Sequence, residues 1–533
     1  MKDALVPCLA ETPGACIGDS WPESCEEAAT SPVQLGRPKD SLPEIDAAEQ
    51  NLEVVTGQAI AALNKANEPE PWLFVKAGVP VRIEPAEDGL LVARELTPDR
   101  LRHVLARVAR WYVVKDTKNG PVRLDAKPPM CVVRDVLAAP GLPLPPLVAV
   151  VRTPVFAPDG SFQTEPGYHP ATRTYLAPDP GLSVPPVPER PTARDVEAAR
   201  AVILEDLLGD FPFVGEADRA HAVALLVLPF VRAMIDGPTP LHVVEASSPG
   251  SGKGLLANVL LYPATGQHVG MAPPAGDDEE LRKALTGRFR DGAVAILFDN
   301  VAALTSPVLA AALTATWWDD RILGKSETVR LPVRCAWAAT SNNAVLSTDV
   351  ARRSVRIRLD PKCDRPWLRT GFRHPNLRAW AARERGTLIW SAAVLVRNWV
   401  NTRRPGPSCK PLGSFEFWTE AIGGVLEAAG IAGFLANADE FYEAADPEGA
   451  IWRDFVALWW QRFGDKPTAV ADLFPLAVEL DFDLGKASSE RAARIAFGRR
   501  LARQRDRVIG DYAIRAAGRH QGAALWRLVR VTP

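Results

Sequence analysis

Residues 240–260 read PLHVVEASSPGSGKGLLANVL: an apolar strand-like run, a Gly/Ser/Pro loop ending in Lys253, and the apolar start of a helix. Ser248, Pro249, Gly250, Ser251 and Gly252, followed by Gly254, form a loop whose backbone amides, Pro249 shaping the turn without donating, can wrap phosphate oxygens, and Lys253 supplies a point charge for the outer phosphates. That chemistry is the binding of a nucleoside triphosphate. Two positions depart from G-x-x-x-x-G-K-[ST]: Ser247 stands for the first glycine, and Gly254 stands where a hydroxyl would ligate Mg2+. A short glycine loop before a helix also arises without any ligand.

Further residues could complete the reaction. Asp299 ends the apolar stretch AVAILF, which predicts a carboxylate at the carboxyl edge of a parallel sheet, where α/β proteins bind ligands; its task there is to hold Mg2+ against ATP. Asn300 follows where many ATPases carry a water-activating glutamate, and an amide orients water without taking its proton. Glu279 and Glu280 are candidates for the missing carboxylate; acidic residues in a first helical turn equally suit the helix dipole. Asn342 or Asn343, closing the stretch AATSNN, could bond the transferred phosphoryl group or the attacking water, although asparagine also favours turns. Arg352 and Arg353, between a helix and a strand, could reach a neighbouring subunit's triphosphate and neutralise charge there.

Two basic features point to nucleic acid. Arg321 to Arg330 predict a short hairpin with Gly324-Lys325 at its tip, where Arg321 and Lys325 could grip a phosphodiester. Near the end of the chain Arg491, Arg494, Arg499, Arg500, Arg503, Arg505 and Arg507 crowd one or two helices, so several share a face suited to the DNA backbone. An ordinary exposed turn is the alternative for the hairpin, and solvation or subunit contact for the helices.

The elements that must position these groups follow from pattern. The 533 residues allow three or four domains, and the net charge of −2 hides an acidic start and an arginine-rich end. Seven cysteines are scattered without a C-x-x-C pair, which argues against a zinc site or a disulfide framework. No apolar run approaches the roughly 20 residues of a membrane span, and the opening residues do not read as a signal peptide, so the expectation is a cytoplasmic protein without a membrane partner. Residues 1–65 read as an acidic flexible tail with a short helix near Glu53–Asn67, and 68–180 as a small N-terminal α+β domain. A Pro-rich linker and helix start occupy 181–199, the ATPase core 200–365, and a Trp-rich helical lid 366–465. Residues 466–533 predict two helices and a two-stranded wing, a winged helix. The fold class is thus multidomain α/β.

Taken together, SSPGSGKG, ILFDN, WWDDRILGKS, ATSNN, STDVARRSVRIRLD, RTGFRHPNLRAWAARERG and LGSFEFW resemble the AAA+ helicase-like P-loop ATPases of phage, plasmid and other mobile elements, often joined to primase domains, and in layout the superfamily 3 replicative helicases. The likeness covers about residues 200–530. It implies a ring, usually a hexamer, with ATP and Mg2+ between subunits, single-stranded DNA in a central channel, and primase or other replication proteins as partners. Lys253 would be the Walker A lysine, Asp299 the Walker B acid, Asn342 or Asn343 sensor 1, and Arg352 or Arg353 the trans-acting finger. The function so implied is an ATP-driven DNA helicase or replication initiator. An ATP-switched assembly protein on DNA, with slow hydrolysis and no unwinding, is the alternative. A small-molecule kinase would need an acceptor pocket.

Overall fold

The computed structural model describes residues 42–272, 277–321, 328–482 and 489–531. They fall into two compact units: one holds the described residues up to Val345 together with Arg352–Asn437, the other Leu346–Ala351 and those from Ala438 onward.

Ordered structure in the first unit begins well before residue 68. Strand Glu44–Asp46 pairs parallel with Arg110–Tyr112, and helix Leu52–Ala66 buries Val55, Ala59 and Leu63. Burial of Ile45 and of that helix face supplies the apolar contact that a solvated tail would lack. Residues 1–41 lie outside the described residues. The Asn119-Gly120 turn joins strands Arg110–Thr117 and Gly120–Asp125 as an antiparallel hairpin, as the Asn-Gly pair predicts. A further antiparallel sheet is made by Leu73–Lys76, Val79–Pro85 and Leu91–Glu95.

The core of this unit is a five-stranded sheet: β1 (Leu241–Ala246), β2 (Met271–Ala272), β3 (Ala295–Leu304), β6 (Ala336–Leu346) and β7 (Ser354–Leu359), with β4 (Trp317–Arg321) and β5 (Thr328–Pro332) forming a separate hairpin. Its spatial order is β2-β3-β6-β1-β7, and β1 pairs parallel with both β6 and β7. All six residues of β1 are buried, because helices cover both faces of a parallel sheet and leave no side for polar alternation. Helix α1 (Lys253–Thr265) follows β1, and helix α2 (Asp278–Asp291) follows β2. Asp277 caps α2 by accepting from the Glu280 amide at 2.7 Å, and Gly292 closes it at φ +74°.

The Pro-rich segment is bound along the start of α3 (Arg385–Asn401). There Arg385, almost fully buried, pairs with Asp179 at 2.5 Å and donates to the carbonyls of Arg152 and Pro263. A Cβ on Gly386 would stand 1.9 Å from the Ser183 carbonyl oxygen, and backbone cannot move aside as a flexible side chain could. Gly386→Ala should therefore destabilise the first unit by about 1–3 kcal/mol. Gly57, exposed on the outer face of helix Leu52–Ala66 with open space around its Cβ position, should instead gain roughly 0.5–1 kcal/mol on the same substitution. Chemical denaturation of the two variants reads the opposite signs; equal shifts would refute the packing argument.

The tryptophans of the expected lid are largely structural: Trp380, Trp399 and Trp418 are buried in the first unit and Trp459 in the second. The second unit carries α4 (Pro447–Phe463), α5 (Val470–Glu479) and α6 (Glu490–Arg503), followed by the hairpin of β8 (Tyr512–His520) and β9 (Ala523–Arg530). Its core joins Trp452, Phe455 and Trp459 to Phe497, Leu501, Ile514 and Leu528. Among the described residues no helix is long and apolar enough to cross a membrane.

Candidate functional site

The loop after β1 turns twice through backbone that favours glycine, Gly250 at φ +72° and Gly252 at φ +90°, and so delivers Lys253 to the first position of α1. The Lys253 side chain is nearly buried. Its three ammonium protons have three acceptors: Asn342 Oδ1 at 2.6 Å, Ser251 Oγ at 3.2 Å and the Ser248 carbonyl at 3.2 Å. Burial pushes its pKa down, and the Asp299 charge opposes that shift.

Asn342 links the loop to the neighbouring strands. While its Oδ1 receives the lysine, its Nδ2 donates to Asn300 Oδ1 at 3.3 Å. Thr340, two residues earlier on β6 and buried, donates its hydroxyl to Asp299 Oδ1 at 2.5 Å and accepts from the Asn300 amide at 2.8 Å. Lys253, Asp299, Asn300, Thr340 and Asn342 thus form one cluster at the carboxyl edge of the sheet. Asn300 and Asn343 both adopt left-handed backbone, φ +50° and +53°, which asparagine tolerates better than most residues. Among the described residues no hydrogen bond joins Asn343 to the cluster.

A Cβ at Gly254 would sit 3.8 Å from Asp299 Oδ1, so the position that lacks a hydroxyl does face the carboxylate. One carboxylate beside a phosphate loop fits Mg2+, which binds through one or two carboxylates, substrate phosphates and retained waters. Glu280 is exposed in the first turn of α2, where Glu279 and Glu280 each meet Lys283 at 2.9 Å and raise its pKa. Arg352 and Arg353 precede β7, and the Arg353 carbonyl accepts from the Leu241 amide at 2.9 Å. The register of β7 against β1 puts both arginines at the amino edge, about 17 Å along the strand from the phosphate loop. They are not brought to Lys253 of their own chain.

Four aromatic contacts escaped sequence reasoning. Trp367, half exposed, lies against the phosphate loop, with its ring 3.1 Å from a Cβ position on Gly250, and Phe211 lies 3.4 Å from that of Gly252. On the β4–β5 hairpin Trp318 turns inward to donate to Thr286, whereas Trp317 is 48 % exposed with the Arg330 guanidinium 5.3 Å from its ring. Arg321 and Trp317 alternate onto the same strand face. Lys325 lies outside the described residues. Thr340 did carry a signal, since a residue two before Asn342 shares its strand face.

In the second unit Arg499 and Arg503 occupy the exposed face of α6 with Arg491, opposite the buried Phe497 and Leu501; Arg500 is half-buried beside them. On the hairpin Arg515 stands directly across from Arg527, a like-charge pair that a strand ladder disfavours. Asp506 meets Arg515 at 2.5 Å.

No family model matches the chain, and no curated protein matches it in sequence. Among solved structures it is similar to the A form apo structure of the NrS-1 C-terminal region, at 12% identity and TM-score 0.36, covering 79% of this chain and 94% of that one. It is also similar to the SCCmec type IV Cch active helicase, at 12% identity and TM-score 0.35, covering 85% and 91%. Similarity at this level leaves function to the geometry of the site.

Proposed function

We propose that the chain is an ATP-hydrolysing motor on DNA, a helicase or replication initiator. The observation that carries this reading is the junction of Lys253 with Asn342, in one cluster with Asp299, at the mouth of a glycine loop. The loop amides and Lys253 take the phosphate chain, Lys253 exchanging its internal acceptors for phosphate oxygens. Asn342, released from the ammonium, is left to orient water or the outer phosphate together with Asn300. Mg2+, held from Asp299, would supply charge neutralisation at the phosphates.

The amino-edge position of Arg352 and Arg353 keeps them from the phosphate loop of their own chain, so a part for them in hydrolysis would be played at another copy's site, which is the ring reading. Equimolar mixing of Lys253→Ala and Arg353→Ala chains tests this. Each alone should be inactive, and the mixture should regain turnover by forming some sites with both residues intact. A mixture as inactive as its parts, or an active Arg353→Ala chain, would remove the shared site.

For DNA, the reading places a single strand against Trp317, Arg321 and Arg330 and assigns the second unit's helices and hairpin the role of a winged helix, with Arg499, Arg500 and Arg503 on phosphates. Trp317→Ala should weaken binding of labelled oligothymidylate by about 1–3 kcal/mol while leaving ATP binding intact. Unchanged anisotropy would rule out the stacking role.

One observation favours the alternative of an ATP-switched assembly protein. Asn300 follows Asp299, and among the described residues no second carboxylate is hydrogen-bonded within the cluster. Strand separation on forked DNA, with ATP turnover that rises with single strands, distinguishes the motor from ATP-dependent assembly without unwinding.

A further inference from the structure

A cavity of about 520 Å3 opens between the antiparallel sheet of Leu73–Lys76, Val79–Pro85 and Leu91–Glu95 and the amino edge of the core. Its lining includes Lys76, Arg94, Arg100, Arg152, Arg288 and Arg290, with Glu95 and Asp291 as the acids among the described residues. The rest is largely aliphatic, with Val81, Leu91 and Val294 among it. Thr265, at the far end of α1, also borders it; the length of that helix separates the cavity from Lys253 by about 18 Å.

Internal ion pairs do not use up this charge. Arg290 meets Glu95 at 2.6 Å. Arg94 shares Glu84 with Arg82, and Arg152 shares Asp179 with Arg385, so neither carboxylate neutralises its cavity arginine alone. Arg100 donates to the Glu95 carbonyl, and Arg288 meets no carboxylate at ion-pair distance among the described residues. Lys76 donates to the Asp291 carbonyl at 2.7 Å, a favourable place at a helix C-terminus, yet burial pushes its pKa down to about 8. A partly dehydrated cation among arginines gains from a polyanion. Guanidinium forks match phosphate oxygens in pairs, and the volume lies within the range of small-molecule sites.

We infer that this cavity is a second anion site that takes an oligophosphate, either the phosphate chain of a free nucleotide or the phosphodiesters of a short single strand. The ligand bridges the N-terminal sheet and the ATPase core of the first unit.

The full-length Lys253→Ala chain, whose phosphate loop is disabled, provides the test. A fluorescent ATP analogue and labelled oligothymidylate are titrated separately, with inorganic triphosphate as competitor. Saturable, triphosphate-sensitive binding should remain for one of them and weaken at least tenfold when Arg288→Ala or Lys76→Met is added. Dependence seen with the analogue assigns the site to a nucleotide, and with the oligomer to a strand; either supports the site. Absence of saturable binding of both probes, or binding insensitive to both substitutions, overturns it. Arg288 is exposed and keeps its carbonyl for the α2 cap, so its replacement leaves the fold in place. Absent ATP turnover in the wild-type chain would defeat the motor without touching this result.

Discussion

Lys253→Ala is expected to lower ATP turnover by about 10²- to 10³-fold, the scale set by removing one charge-stabilising donor from a preorganised site. Phosphate release under saturating nucleotide reads the loss. Among the described residues the ammonium is the one cation hydrogen-bonded into the cluster, and its three acceptors are Asn342, Ser251 and Ser248, so its removal takes away both the charge at the phosphates and the tether of Asn342. Lys253→Arg should not rescue, because a planar guanidinium on a nearly buried stem cannot meet three converging acceptors as a tetrahedral ammonium does. Stability should change little, since Asn342 is itself exposed and can turn to water. Wild-type turnover in either variant would refute the role of the loop.

Asp299→Asn and Gly254→Ser should move activity in opposite directions. The first is nearly isosteric, and an amide oxygen can still accept from Thr340, so the fold survives while the charge facing position 254 is lost. Turnover should fall about a hundredfold or more. Gly254→Ser places a hydroxyl where a Cβ has ordinary contact distance to Asp299 Oδ1, and serine also suits a helix better than glycine by about 0.5 kcal/mol. The Mg2+ concentration for half-maximal hydrolysis should fall several-fold. In the Asp299→Asn background the serine should give no such gain. A Mg2+ titration of the four chains checks this, and an undiminished Asp299→Asn enzyme or a serine variant needing more Mg2+ would refute the metal role.

What was legible in the sequence was local. Continuous burial of Leu241–Ala246, glycines that permit positive φ, and an aspartate closing an apolar run are all written within a few residues of one another, because backbone preference and hydrophobic patterning act at that range. They pointed to an α/β core with Lys253 opening the helix after the glycine loop and Asp299 beside that loop, although β3 runs on past Asp299 to Leu304, and they located the arginine doublet before its strand. The early strand Glu44–Asp46 was not legible, since three residues carry too little periodicity to stand out from an acidic segment. Nor did pattern separate Trp317 from Trp318, since a two-residue alternation fixes that they face apart but not which side meets the core.

The tertiary structure decided the pairings. Strand β6 lies between β1 and β3, and that order brings Asn342 to a lysine 89 positions earlier while Thr340 reaches Asp299 across the adjoining strand. The same order leaves Asn343 outside the cluster, seats Trp367 on the loop, and puts Arg352 and Arg353 at the edge away from their own Lys253. Sheet order and the covering of each face come from burying the whole core at once, a sum over contacts distant in sequence, and so belong to no single stretch of the chain.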